Sequence, residues 1–399
     1  MTLVSLAFAS TSWATFYYVD KNNTIASDSN IGSESSPWKT ISHAASTAIA
    51  GDTVYVKSGT YSEQVTVSHS GSSGSPITFA AYPGHSPVID GSGVNVSSSN
   101  GLFTSNNHNY IILDGFEIKN SNEYLIRMYG GSYCEIKNCV VHDNVSSGQS
   151  AILFSHCTNG LFENNEVYHG GRNAVNFESD TDMTIQYNYI HDNSAHNGIN
   201  LFPKTSETQI EYSGNNIKYN VISGCTHGIY SRYQTNNEIS NNIIHDNLNN
   251  GIYLENDELD PHNFAAHTLI ANNTITGNGQ NGILDGNATF LTIKNNIIYN
   301  NASYSIYIRS SVNSNNTVSH NLTSNPSFTD ASKNDFTLQS GSAAIDAGTD
   351  LSPSGITDDI AGVSRPQGNA YDIGAYEYTS GNTPNPEVII SPPANLRTL

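Results

Sequence analysis

The stretch Ile239-Ser-Asn-Asn242-Ile-Ile244-His-Asp-Asn247, followed at once by Asn250-Gly-Ile252-Tyr253-Leu254-Glu255, constrains this chain more than any other because it recurs. The pattern is an apolar residue, two variable positions, an Asn, an apolar pair, a His-Asp-Asn turn, then Gly-Ile-x-Leu. Copies stand at Ile136-Lys-Asn-Cys139, Phe162-Glu-Asn-Asn165, Ile185-Gln-Tyr-Asn188, Ile217-Lys-Tyr-Asn220, Ile270-Ala-Asn-Asn273, Ile293-Lys-Asn-Asn296 and Val318-Ser-His-Asn321. The usual step is about 23 residues, and two steps stretch to about 31. A unit this short cannot bury its own apolar face, so the repeat signals a solenoid whose units bury one another by stacking.

Aliphatic residues fall in short alternating pairs among abundant Asn, Ser, Gly and Thr, which predicts strands and turns rather than long amphipathic helices. The expected fold is all-β, a parallel β-helix solenoid with a short N-terminal capping helix. The Asn column (Asn165, Asn188, Asn220, Asn242, Asn273, Asn296 and Asn321, with Cys139 in the same slot) suits an inward bend, where each amide bonds the turn backbone and its neighbours above and below. These residues are scaffold. The four cysteines, Cys134, Cys139, Cys157 and Cys225, lack metal-type spacing and read as buried thiols, with one disulfide as the alternative. Lys plus Arg total 15 against 35 for Asp plus Glu, a net charge of -20, which argues against nucleic acid or an anionic membrane surface as partner.

In chain order, residues 1–14 form a short apolar run ending in Ser12-Trp13-Ala14, which fits a secretory signal; a secreted or cell-surface location is expected. No stretch reaches transmembrane length. Residues 15–92 read as a cap and first coils. They hold strands at Phe16–Asp20, Thr53–Lys57, Gly59–Tyr61, Val65–Val67 and Ile77–Phe79, and a helix from Ser36 to Ala45, closed by Gly51-Asp52. Residues 93–325 are coils. Residues 326–378, with Gly341-Ser-Ala-Ala-Ile-Asp-Ala-Gly348 and Tyr371-Asp-Ile-Gly-Ala-Tyr-Glu377, suit tight turns over the last coil. The tail, 379–399, is rich in Pro, Asn and Ser and reads as disordered. A monomer is expected.

Tyr17-Tyr-Val-Asp20, Ser36-Pro-Trp-Lys-Thr-Ile41, Ala50-Gly-Asp-Thr-Val-Tyr-Val56, Gly59-Thr-Tyr61, Tyr82-Pro-Gly84 and Pro87-Val-Ile-Asp-Gly91 together resemble the opening of secreted right-handed parallel β-helix proteins of the pectate lyase-like superfamily, notably polysaccharide lyase family 9. The segment after Asn334 resembles the end piece of many exported bacterial β-helix proteins, the choice-of-anchor module. The first resemblance implies a right-handed coil and uronate chemistry. Family 9 lyases carry a calcium-binding Asp-Asp-Gly-x-Asp run; the same slot here reads Thr226-His227-Gly228-Ile229-Tyr230. Calcium as cofactor would then fall to another acidic cluster, Glu178, Asp180 and Asp182, whose hard oxygens suit that ion; a solvated turn and no cofactor is the alternative.

Strand alternation locates a site. With Ile and Leu of Gly-Ile-x-Leu pointing in, one outward column is Arg127, Leu153, Asn176, Asn200, Tyr230, Tyr253, Leu284 and Tyr307. The other is Tyr129, Ser155, Glu178, Phe202, Arg232, Glu255, Gly286 and Arg309. Scarce cations gather here, with Lys204 two residues beyond Phe202, beside aromatics that suit sugar stacking. Both stretched repeats place their extra residues just after these strands, at 203–211 and 256–267, bracketing His227-Gly-Ile-Tyr230.

The expected partner is an acidic polysaccharide, and the expected reaction is β-elimination at a uronate. That step needs a group to neutralise the carboxylate, a base for the C5 proton and an acid for the leaving oxygen. Arg232 fits the first role, Lys204 or His262 the second, Tyr230 or Tyr253 the third. Arg127, Asn176, Asn200, Phe202, His227, Glu255 and Arg309 are candidate substrate contacts. Asp260-Pro-His262 also resembles the Asp-Pro-His of mannuronan C5-epimerases, although Tyr253 precedes it here by a longer insert; epimerisation and non-catalytic carbohydrate binding are the alternatives. Glycoside hydrolysis needs two facing carboxyls. Glu178 and Glu255 stand three coils, about 14 Å, apart, and Asp257, Glu258 or Asp260 would lie closer to Glu255.

Overall fold

A computed structural model describes residues 14–203, 212–255, 267–309 and 315–380. The apolar start, Lys204, His262 and nearly all of the tail fall outside the described residues. Among those described, three parallel sheets of 12, 10 and 10 strands run the length of a β-helix. The first sheet begins with Phe16–Val19 and ends with Thr317–Ser319. The repeat sets the register: Ile136, Phe162, Ile185, Ile217, Ile239, Ile270, Ile293 and Val318 are Cα partners from coil to coil. The N-terminal strands already stack in this way, so the opening segment is built as coils. The interior is filled by columns of Ile, Val, Leu and Phe, including a stacked Phe154–Phe177 pair.

Each coil closes through a left-handed residue just ahead of the ladder Asn. Asn164, Tyr187, Tyr219, Asn241, Asn272 and Asn295 all have φ of 52–59°, a region that Asn tolerates best among non-glycine residues. The ladder is continuous: the Nδ2 of Asn165, Asn188, Asn220, Asn242, Asn273 and Asn296 each donates to the Oδ1 of the next Asn at 2.9–3.0 Å. Cys139 joins through its backbone N–H, which donates to Asn165 Oδ1. A second ladder, unforeseen from the sequence, runs through Asn247, Asn278 and Asn301 at the end of the His-Asp-Asn turn. The His-Asp pair has its own reason: in three coils the His Nδ1 bonds the carboxylate of the left-handed Asp beside it. Glycine before the groove strands is a matter of space, since a Cβ on Gly228 would lie 2.5 Å from Ile244 Cγ2 and 2.7 Å from the Gly251 carbonyl.

The capping helix spans Ile41–Thr47, later than the sequence suggests. Ser36 lies in a turn, and Thr40 is the N-cap, its hydroxyl accepting from His43 N–H. The Glu63 carboxylate satisfies the Ile41 and Ser42 N–H groups, and Ile41, Ala44 and Ala45 enter the core. All four cysteines are free and buried; burial pushes the Cys139 thiol up to about 12. The C-terminal segment lies along the flank of the stack rather than only over its last coil. Phe328, Phe336, Leu338, Ile360 and Ile373 cover Val221, Ile243 and Ile297, and Asn241, Asn272 and Asn295 donate to Asp358, Asp372 and Thr349 carbonyls. No described helix is long and apolar enough to cross a membrane.

Candidate functional site

The first outward column runs unbroken in the register expected, and the second in two stretches, Tyr129 to Phe202 and Arg232 to Gly286. Arg127, Leu153, Asn176, Asn200, Tyr230, Tyr253, Leu284 and Tyr307 are successive Cα partners on one ten-stranded sheet. A cavity of about 670 Å³ opens over Val175–Glu178, Ile199–Phe202 and Ile229–Arg232. Its floor includes Asn176, Glu178, Asn200, Phe202, Tyr230 and Arg232. One wall comes from the turns that precede these strands and brings in Gln149, Arg172, His196, Asn197 and His227. Of these, sequence reasoning named only His227. The others occupy one slot of consecutive repeats, Gln149-Ser150, Arg172-Asn173, His196-Asn197 and Thr226-His227, which stack by backbone bonds such as Arg172 N–H to Gln149 O at 2.8 Å. Aligning the repeat backwards from its Ile as well as forwards would have revealed them.

The polar groups that line this space include two guanidinium groups, Arg172 and Arg232, several amides and the Glu178 carboxylate. Asn197 Nδ2 donates to Asn200 Oδ1 at 2.8 Å, and Asn200 Nδ2 to Asn176 Oδ1 at 2.6 Å; the Asn176 amide nitrogen has no acceptor among the described residues. Asn250, through its backbone N–H and its amide, meets His227 Nδ1 at 3.3 and 3.2 Å, so the proton of the neutral imidazole sits on Nε2. Burial, only partly opposed by the Glu255 charge, pushes His227 down to about 4. Burial and the charge of Arg172 likewise lower His196. The Arg232 guanidinium lies 5.4 Å from the Phe202 ring centre and 4.7 Å from that of Tyr233 and donates to the Tyr233 phenol at 3.0 Å. Its Nε is buried and finds no acceptor among the described residues. An unpaired buried donor of this kind is costly unless a ligand completes it.

Tyr230 donates to Glu255 Oε2, and its ring meets Tyr253 edge to face at 5.4 Å. Burial first, then the hydrogen bond to Glu255 and its charge, raises the Tyr230 phenol far above the tyrosine range. Burial, then Glu255, raises Tyr253 as well. Both phenols keep their protons at neutral pH.

Asn176, Asn200, Phe202, His227, Tyr230 and Arg232 are therefore brought together, with Tyr253 and Glu255 at the cavity's edge. Arg127 is drawn away: its guanidinium donates to Asn106 Oδ1 and covers the Tyr129 ring. Arg309 stands further along the sheet, at the Tyr253 phenol. The calcium candidates do not converge. Glu178 points outward and accepts from Ser155 Oγ at 3.2 Å, whereas Asp180 is sealed inside the coil, its Oδ1 taking the Cys157 N–H. Burial raises the Asp180 carboxyl well above its usual range, which disfavours the ionised form that a cation needs. No group of three or more metal-ligating side chains assembles among the described residues. The slot of Thr226, His227 and Tyr230 fits calcium no better, because Tyr230 is tied to Glu255 and His227 Nδ1 to Asn250.

Residues 17–316 match the family described as Pel9A-like, right handed beta helix region. The chain belongs to this family. Among solved structures, pectate lyase Pel9A aligns with 92% of this chain and 97% of its own, at 20% identity and a TM-score of 0.69. The complex of XylC with xylose covers 77% of this chain and 72% of its own at 16% identity, with a TM-score of 0.57. These likenesses extend the family's right-handed fold along the chain. Uncharacterized protein YwoF of Bacillus subtilis (strain 168) is 43% identical over 79 residues, 20% of this chain and 16% of that protein's length.

Proposed function

We propose that the groove binds a uronate-containing polysaccharide and cleaves it by β-elimination. The observation that carries this reading is Arg232: a guanidinium packed against the Phe202 and Tyr233 rings, lining a cavity that also takes in Arg172. A uronate carboxylate that enters this cavity pairs with the guanidinium, and neutralising the carboxylate acidifies the C5 proton. As the base takes that proton, a C4–C5 double bond forms, the C4–O bond breaks, and the departing oxygen takes the proton of Tyr230. The raised Tyr230 phenol keeps its proton at neutral pH, so it stands in the form a donor needs and not in the form a base needs. His227, its Nδ1 already accepting from Asn250, serves as a neutral donor to substrate. The base role stays with the sequence candidates Lys204 and His262, outside the described residues. Kinship with a pectate lyase fold favours this chemistry, and an extracellular polymer suits an exported protein.

The test is incubation with polygalacturonate, alginate and glycosaminoglycans, with and without a chelator, while following the ultraviolet absorbance of an unsaturated uronide. Product is expected on one of them and is expected to survive chelation, because neither calcium candidate has a fitting donor set. Arg232→Gln should lower kcat/KM about 100-fold at an unchanged melting temperature. No absorbance on any polymer sinks the lyase reading; binding without product would indicate a binding module, and an altered uronate ratio an epimerase.

A further inference from the structure

Beyond the cavity, the same column continues through Tyr253 and Leu284 to Tyr307, three coils past Tyr230 or about 14 Å by strand spacing. Tyr307 is 39% exposed and stacks on Tyr304, 60% exposed, with ring centres 5.1 Å apart and planes 23° from parallel. The backbone beneath them is fixed: Tyr304 N–H donates to Asn281 Oδ1, and its carbonyl accepts from Gly282 N–H at 2.9 Å. Arg309, exposed and two residues on from Tyr307 just past the strand end, lies close enough for its charge to act on the Tyr253 phenol, on the side of the platform nearer the cavity. The C-terminal segment, which covers apolar surface elsewhere, packs on residues of the other sheets and their turns.

We propose that Tyr304, Tyr307 and Arg309 form a distal subsite that takes a further uronate residue of the chain bound in the cavity. The inference rests on the acidic-polysaccharide reading above and deepens it. Exposed rings on a rigid coil supply the apolar face that the C–H side of a sugar needs, at little entropic cost. Arg309 supplies the charge for its carboxylate, on a molecule whose cations number 15 against 35 acidic residues. Because the platform lies on the axis of the column, the protein holds a polymer along the stack, and affinity grows with chain length.

The experiment compares wild type with Tyr304→Ala and with the Tyr304→Ala/Tyr307→Ala double variant. The probes are polygalacturonate and alginate, each as long chains and as trimers, read by titration calorimetry. The double variant is expected to bind the preferred long chain about tenfold more weakly, with trimer affinity unchanged; Tyr304→Ala should show a smaller loss of the same kind. Equal affinity of wild type and double variant for long chains would overturn the subsite while leaving the lyase reading standing. A parallel loss for long chains and trimers would overturn it too, since the effect would then be on the cavity. Conversion of a wild-type dimer to a monomer by the substitutions, seen in sedimentation, would assign the platform to a second copy of the chain and overturn it. Wild type that binds none of the four probes would overturn the subsite, and the lyase reading would then stand only if a glycosaminoglycan gave product.

Discussion

Asp180 shows what a single inward carboxyl does to a closed coil. Its Oδ1 accepts the Cys157 N–H, but its Oδ2 is buried without a partner among the described residues, and burial raises the carboxyl well above its usual range. The unfolded chain releases the carboxyl proton near the ordinary value. Between that value and the raised folded one, the unfolded state binds fewer protons, so rising pH lowers stability across this window. Asp180→Asn keeps the acceptor and removes the titration. The variant should melt at a higher temperature than wild type at neutral pH and show no such gain below the carboxylate range; identical melting curves at neutral pH would refute the account. Arg232 is the opposite case, since its charged side chain lines a cavity that a ligand can enter.

At the scale of the element, the unit of stability is the turn. Asn242 Oδ1 accepts the Asn220 backbone N–H and the Asn220 amide, while its Nδ2 donates to Ile217 O and Asn273 Oδ1. Asn242→Ala strands partners on both neighbouring coils, and leaving buried groups unsatisfied costs about 1–3 kcal/mol each. A loss of roughly 3–5 kcal/mol in urea unfolding is expected; a change under about 1 kcal/mol would show that neighbours or water restore the ladder. This ladder was legible in the sequence because one residue type recurs at one spacing. The Asn247–Asn278–Asn301 ladder was hidden by Cys225, which interrupts that column. The cavity wall was hidden for another reason. Gln149, Arg172 and Asn197 sit in turns, where period-two alternation fails and local dihedrals decide where a side chain points.

At the scale of the whole molecule, the C-terminal segment is a side buttress. Arg365 and Glu377 form an ion pair at 2.7 Å with both side chains fully buried, and Arg365 also donates to the Asp372 and Gly374 carbonyls and to Asn241 Oδ1 on the stack. Removing one partner of such a pair costs about 3–5 kcal/mol. Arg365→Ala should make the 326–380 segment sensitive to limited proteolysis while the groove, on another sheet, keeps its ligand. Resistance equal to wild type would mean that the apolar contacts of Phe328, Phe336 and Ile373 suffice. The sequence by itself determined the coil, its register and the first outward column, with the second in two stretches, because stacking turns one spacing into a lattice of contacts. Only the tertiary structure decided that Arg127 is withdrawn, that Asp180 is sealed inside, that Arg172 joins Arg232 around one cavity and that the last segment leans on the flank. Those outcomes depend on which side chains meet across coils, and a repeat period alone carries no such information.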